Sequence, residues 1–184
     1  MKCVYYIERH THTKKEIIMN YGVAMMISLL TCVAIVQSND TVANSGSTIL
    51  FVYEEKNETI DFWVERFKTA FNNQNRSVEY VASADANKKN IESYSSLVIY
   101  GAVQAFTFKE PVRDWLKSDV SLAGKKVHLI VTANRWLVAG YFKQLKKLLT
   151  KKNAETINAV SAATAKMSDT DKTTFVNNFI NNIQ

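Results

Sequence analysis

Five short runs of β-forming apolar residues recur along the carboxyl-terminal three quarters of this chain, and most are separated by stretches with helical periodicity. The first run, Thr-Ile-Leu-Phe-Val-Tyr at 48–53, is continuously apolar, as a strand buried on both faces must be. Ile60, Trp63, Val64, Phe67 and Phe71 then share one helical face, with Asp61, Glu65, Arg66 and Lys68 opposite. Residues 77–81 alternate like a strand, and 96–100 form a second buried run that Gly101 is expected to end. Pro111, the only proline, suits the first turn of a helix continuing through Val112, Trp115 and Leu116. After a turn at Leu122-Ala-Gly124 come a third buried strand at 126–132 and a helix striped by Leu137, Tyr141, Leu145 and Leu148. A last strand is expected at 156–161. Ser168, with Asp171 three residues on, is placed to cap a final helix through Phe175, Phe179, Ile180 and Ile183.

Strands joined by helical crossovers make a parallel sheet covered on both faces. The expected fold class is therefore α/β, with a five-stranded parallel sheet. In such sheets the ligand crevice opens at the carboxyl ends of the strands, where the winding direction reverses. That directs attention to the loops at 54–59, 102–110 and 133–137.

The amino-terminal part reads differently. Lys14 and Lys15 precede residues 17–36, twenty residues without a charge, and no Lys or Arg follows until Lys56. That length is what a helix needs to cross a bilayer, and the one-sided charge leaves the following domain on the far side. Val36-Gln-Ser38 is an acceptable signal-peptidase site, while Leu29-Leu-Thr-Cys32 resembles a lipoprotein signal with Thr31 in place of the usual small residue. The expected organisation is a signal peptide or membrane anchor at 1–38, a linker at 39–47 and one domain at 48–184, exported or membrane-anchored and extracytoplasmic. Both cysteines, Cys3 and Cys32, fall in the first segment, so the domain has no thiol to mispair in an oxidising compartment. Two Cys and three His in the chain speak against a metal centre.

The order of elements, together with three stretches, resembles the flavodoxin-like family. These stretches are Ile-Leu-Phe-Val-Tyr at 49–53 followed by a loop and a helix near Thr59, Leu-Val-Ile-Tyr-Gly-Ala at 97–102, and Leu-Ala-Gly-Lys-Lys-Val entering the strand at 127–132. The segment 101–116, with Trp115 late in it, is also similar to the short flavodoxin-type protoporphyrinogen oxidases. The resemblance implies strand order 2-1-3-4-5, bound flavin mononucleotide (FMN) and electron transfer. It places Lys56, Asn57, Glu58 and Thr59 at the flavin phosphate. Gly101, Ala102, Val103, Gln104, Ala105 and Phe106, with Asn134, Arg135 and Trp136, fall around the ring. Phe108 is a further aromatic in the same loop.

The first loop departs from the family's pattern of hydroxyls and a glycine. Glu-Glu-Lys-Asn-Glu-Thr at 54–59 keeps only Thr59, with three carboxylates against one lysine. At about 6 Å each like-charge pair costs about 0.7 kcal/mol in water and roughly 3 kcal/mol at an effective dielectric of 20. That rivals the 0.3 to ~2 kcal/mol a helix terminus offers an anion. Phosphate binding is expected to weaken unless Glu54, Glu55 and Glu58 point away, while Asn57 could supply the left-handed turn of the missing glycine.

Other signals are bland. His128 sits inside a strand without triad partners and reads as a satisfied core histidine. Lys143, Lys146, Lys147, Lys151 and Lys152 line one helix face, which suits an anionic membrane surface or simply solvent. The net charge of +6 comes with no nucleic-acid recognition motif, so no nucleic-acid partner is expected. The expected partners are a redox protein or a quinone. Three functions follow: an FMN-binding electron-transfer protein, an FMN-dependent quinone or protoporphyrinogen oxidoreductase, or a degenerate domain without cofactor acting as a binding or structural module.

Overall fold

The computed structural model describes residues 6–7, 48–103, 110–133 and 137–183. The expected apolar helix at 17–36 lies outside them, and among the described residues no helix is long and apolar enough to cross a membrane.

The elements in chain order are β1 (Tyr6–Ile7), β2 (Ile49–Tyr53), α1 (Glu58–Asn73), β3 (Val78–Ala82), β4 (Ser96–Val103), α2 (Pro111–Lys117), β5 (Lys126–Ala133), α3 (Val138–Lys151), β6 (Glu155–Ala163) and α4 (Asp169–Ile180). They form one sheet of order β1-β6-β5-β4-β2-β3. The pairs from β2 to β6 are all parallel. Counted from β2 as the first, that is order 2-1-3-4-5, as the resemblance implies. The addition is β1, which pairs antiparallel with the edge of β6 at Tyr6 with Ser161 and Ile7 with Val160. Two residues carry too little periodicity to be read as a strand, so nothing in the sequence announces it.

The central strands are mostly apolar because each of their faces meets helices. Phe51 and Tyr100 face α1 and α4, where Phe67, Phe71 and Phe179 complete an aromatic layer. Phe51 and Phe67 lie 5.1 Å apart between ring centroids, and Phe67 and Phe179 6.1 Å. The alternate residues Leu50, Val52, Leu97, Ile99, Leu129 and Val131 face α2 and α3 with Trp115, Leu116, Tyr141 and Leu145. Fully burying one such side chain is worth about 1.5–3 kcal/mol, so the two layers drive the fold. α3 meets the sheet through Tyr141, Leu145 and Leu149; Leu137, expected in that stripe, is exposed.

Helix ends follow local chemistry. Pro111 opens α2, and Ser168 with Asp171 forms a reciprocal capping box on α4. Asn75 and Asn153 take left-handed backbone (φ 52 and 53) just past α1 and α3, the place a glycine usually holds.

Gly101 does not end its strand; β4 continues to Val103. A Cβ at Gly101 would stand 2.8 Å from Leu145 Cδ1 and 3.0 Å from Tyr141 Cε1, so the missing side chain is what lets α3 close on the sheet. His128 lies in β5 and is 1% exposed, yet neither ring nitrogen has a bonding partner among the described residues, nor has Nδ2 of Asn158, its neighbour on β6. Its hydrogen bonds are therefore not satisfied as expected. Burial, aided by the charges of Arg76 and Lys126, pushes its pKa down to about 4.

Two outcomes are expected from these features. The Gly101→Ala variant loses about 1–3 kcal/mol in denaturant unfolding, because Leu145 and Tyr141 must move. For His128 the folded state binds its proton more weakly than the unfolded state. Stability is therefore complete above about pH 6.5 and is lost as pH falls toward 4, by about 3 kcal/mol for the full shift. His128→Leu should flatten that acid limb when unfolding free energies are measured from pH 7 to 4.

Candidate functional site

The carboxyl ends of β2 to β6 form one rim, and four of the six buried polar side chains among the described residues gather there. Glu54, Ser83, Thr132 and Thr164 are all buried. The Tyr100 and Thr132 hydroxyls are 3.0 Å apart, and Thr164 donates through its amide and hydroxyl to the Ala133 carbonyl. The winding reverses between β2 and β4, because β2 leads outward to β3 on one side while the chain returns to β4 on the other. This is the position at which α/β sheets receive ligands.

Glu54 follows β2 directly at this point, and its side chain turns inward. It is 2% exposed. Its carboxylate accepts the Tyr141 hydroxyl at 2.7 Å, the Val112 amide at 3.0 Å and the Ala102 amide at 3.4 Å. One group thus joins the end of β2, the end of β4 and the first turns of α2 and α3. It also caps α2 from a distance. Pro111 has no N–H to give and Glu110, at the cap position, makes no capping bond, so the Val112 amide finds its acceptor in Glu54. Burial pushes the Glu54 carboxyl up to about 7 against the lowering effect of these bonds. The Tyr141 hydroxyl is raised well above the ordinary phenol range by burial and by the Glu54 charge.

The rest of the first loop faces solvent. Glu55, Lys56, Glu58 and Thr59 are exposed and Asn57 is half-buried. The expected crowd of three carboxylates is therefore two on the surface and one beneath it. Asn57 does not adopt the left-handed turn expected of it. Its backbone is extended (φ −162) and its Oδ1 caps α1 by accepting the Ile60 amide at 3.1 Å. The Glu58 and Thr59 amides, the other donors of the first turn, make no hydrogen bond among the described residues.

Of the residues expected around a ring, Ala102 is buried with its amide on Glu54, Val103 is half-buried at the end of β4, and Gly101 lies within β4 against α3. Gln104, Ala105, Phe106, Phe108, Asn134, Arg135 and Trp136 lie outside the described residues. A cleft of about 350 Å³ runs along α1 and α4, lined by Phe62, Arg66, Thr173 and Val176, rather than across the strand ends.

Sequence reasoning missed two participants. Glu54 was expected to oppose a phosphate, not to organise the rim, and Tyr141 was expected only as part of an apolar stripe. The available signal was the tyrosine itself, since a phenol in a buried helix stripe needs a hydrogen-bond partner.

Neither a protein-family model nor a curated protein matches this sequence. Solved structures do match in three dimensions. Oxidised flavodoxin 2 from Bacillus cereus aligns over 74% of this chain and 100% of its own, with TM-score 0.56 and 18% identity. Fusobacterium nucleatum flavodoxin bound to flavin mononucleotide aligns over 73% and 95%, with TM-score 0.57 and 13% identity. The general stress protein 14 from Treponema denticola, in complex with FMN, aligns over 73% and 96%, with TM-score 0.53 and 13% identity. Strand order, parallel pairing and these likenesses agree, and the chain has the flavodoxin-like fold.

Proposed function

We propose that this protein is an FMN-binding electron-transfer domain whose cofactor sits at the rim between β2 and β4. The observation that carries the reading is the first turn of α1. It stands at the winding reversal with the Glu58 and Thr59 amides unbonded among the described residues, and the carboxylate nearest the strand end, Glu54, is turned inward. Those two amides, the Thr59 hydroxyl and the exposed Lys56 ammonium fit a phosphate, with fewer hydroxyls than the family's usual loop. The likeness to FMN-bound flavodoxin folds supports the same cofactor. Ala102 and Val103 would hold the stem of the ring-side loop, and 104–106 with 134–136 would complete the ring's surroundings. When bound, the flavin supplies the one- and two-electron chemistry. The chain's own residues position it, exclude water and set its electrostatic surroundings.

A second reading, a cofactor-free binding or structural module, is favoured by one observation. Asn57 already occupies the Ile60 amide, so the chain partly caps its own anion site. Titration of the purified chain with FMN, followed by quenching of flavin fluorescence, separates the two readings. Saturable binding is expected. Thr59→Val should weaken FMN about tenfold, since a hydrogen bond to a charged group is lost, and leave riboflavin, which has no phosphate, unchanged. Absence of uptake by the unmodified chain would favour the module.

The domain is also proposed to be tethered to or exported across a membrane by residues 17–36. A single crossing would separate β1 from β6 and forfeit two residue pairs, about 1–3 kcal/mol of backbone hydrogen bonding. The nine Ile, Leu and Val residues of that run offer about 3–5 kcal/mol on insertion at 0.3–0.6 each, before the cost of Asn20, Ser28 and Thr31, a gain of the same order as the loss. The full chain should fractionate with membranes after an alkaline carbonate wash, and an amino-terminal tag should be protected from protease on the side opposite the domain. A soluble chain, with tag and domain equally cleaved, would leave β1 in the sheet and rule out the crossing.

A further inference from the structure

The rim contains a buried acid with no bonded cation among the described residues, at the start of the loop assigned to the phosphate. From β4, Glu54 is faced by the Ala102 amide and by Tyr100, whose hydroxyl is engaged with Thr132 on β5. From α3 it is faced by the Tyr141 hydroxyl, and from α2 by the Val112 amide. Glu110, the cap residue of α2, and Arg113, in its first turn, are paired with each other, so the guanidinium is already committed. On its own loop, Glu55, Lys56 and Glu58 are exposed to solvent. Among the described residues, every group bonded to Glu54 is a neutral donor and none is a cation. A second anion placed on the adjacent first turn of α1 must therefore raise the cost of keeping Glu54 charged, and proton uptake removes that cost.

We propose that Glu54 is a proton-linked positioning residue: capture of a phosphate-bearing ligand by the 54–59 loop is accompanied by uptake of one proton from solvent onto the Glu54 carboxyl. The proposal rests on the phosphate placement argued above and adds its pH dependence. Binding weakens as the solution becomes alkaline, because the proton must then be drawn from a scarcer supply. Burial has already brought the carboxyl to about 7 in the free protein, so the linkage falls above neutrality. In that range a phosphate monoester, with its second ionisation near 6, no longer changes charge. The effect is thereby separable from titration of the ligand.

The test measures FMN affinity for the full chain from pH 7 to 8.5, beside Glu54→Gln and Tyr141→Phe, with inorganic phosphate as a second probe read by the shift in thermal unfolding. Native protein should bind FMN roughly tenfold more weakly at pH 8.5 than at pH 7. Glu54→Gln should show no slope in this window. Tyr141→Phe keeps the carboxyl but removes the donor that favours its charged form, so the profile should move to higher pH, a change that loosened packing alone would not produce. An FMN slope that survives in Glu54→Gln overturns the proposal and leaves the cofactor reading intact. Stabilisation by inorganic phosphate that depends on pH through Glu54, without FMN uptake, supports the linkage and overturns the cofactor reading. No response to either ligand overturns both.

Discussion

The central strands β2 and β4 are buried on both faces, and the rest of the structure follows from that constraint. A strand apolar on both sides must be covered twice, which requires helices above and below the sheet and hence parallel pairing with long crossovers. The aromatic layer of Phe51, Phe67, Phe71 and Tyr100 closes one side. The aliphatic layer around Leu97, Ile99 and Leu145 closes the other, close enough that Gly101 cannot carry a side chain without displacing α3. The cost appears where the strands stop. There the backbone and the first loop residues leave the apolar layers but remain beneath the helices, and their polar groups need partners inside the protein.

Glu54 answers that need. A carboxylate with three donors in three different elements ties the strand ends to α2 and α3, and it replaces the cap that Glu110 does not provide. Its position has two consequences that pull against each other. As a buried acid with no cation bonded to it among the described residues it is costly to ionise, yet the bonds it accepts are best formed by the ionised group. A group balanced in this way responds to small changes in nearby charge, and the nearest place for such a charge is the first turn of α1. The structural role and the proposed proton linkage thus fall on one side chain.

The fold was largely legible in the sequence because its signals are local and periodic. The apolar runs at 48–53, 96–100 and 126–132, the helical stripe from Ile60 to Phe71, Pro111 at a helix start and the Ser168–Asp171 capping box all report on neighbours a few residues away. Strand boundaries were less legible. Gly101 reads as a terminator in a linear pattern, whereas in the sheet it is the gap that receives Leu145 and Tyr141, forty or more residues later. β1 was invisible, since its pairing depends on the open edge of β6 and not on its own two residues. The arrangement of the candidate site was not legible. The loop at 54–59 could be located from the switch of period after Tyr53, but not the direction in which its carboxylates point.

What the sequence determined by itself is the alternating architecture, because hydrophobic periodicity states which faces must be buried whatever they are buried against. The tertiary structure alone decided what the loop's charges do. Asn57 became a helix cap instead of a left-handed turn, His128 was sealed in without a hydrogen-bond partner among the described residues, and Glu54 turned inward to meet an amide from α2 and a hydroxyl from α3. Those outcomes depend on which groups distant in the chain arrive at the same place, and the energy of a polar side chain is set by those partners rather than by its neighbours in sequence.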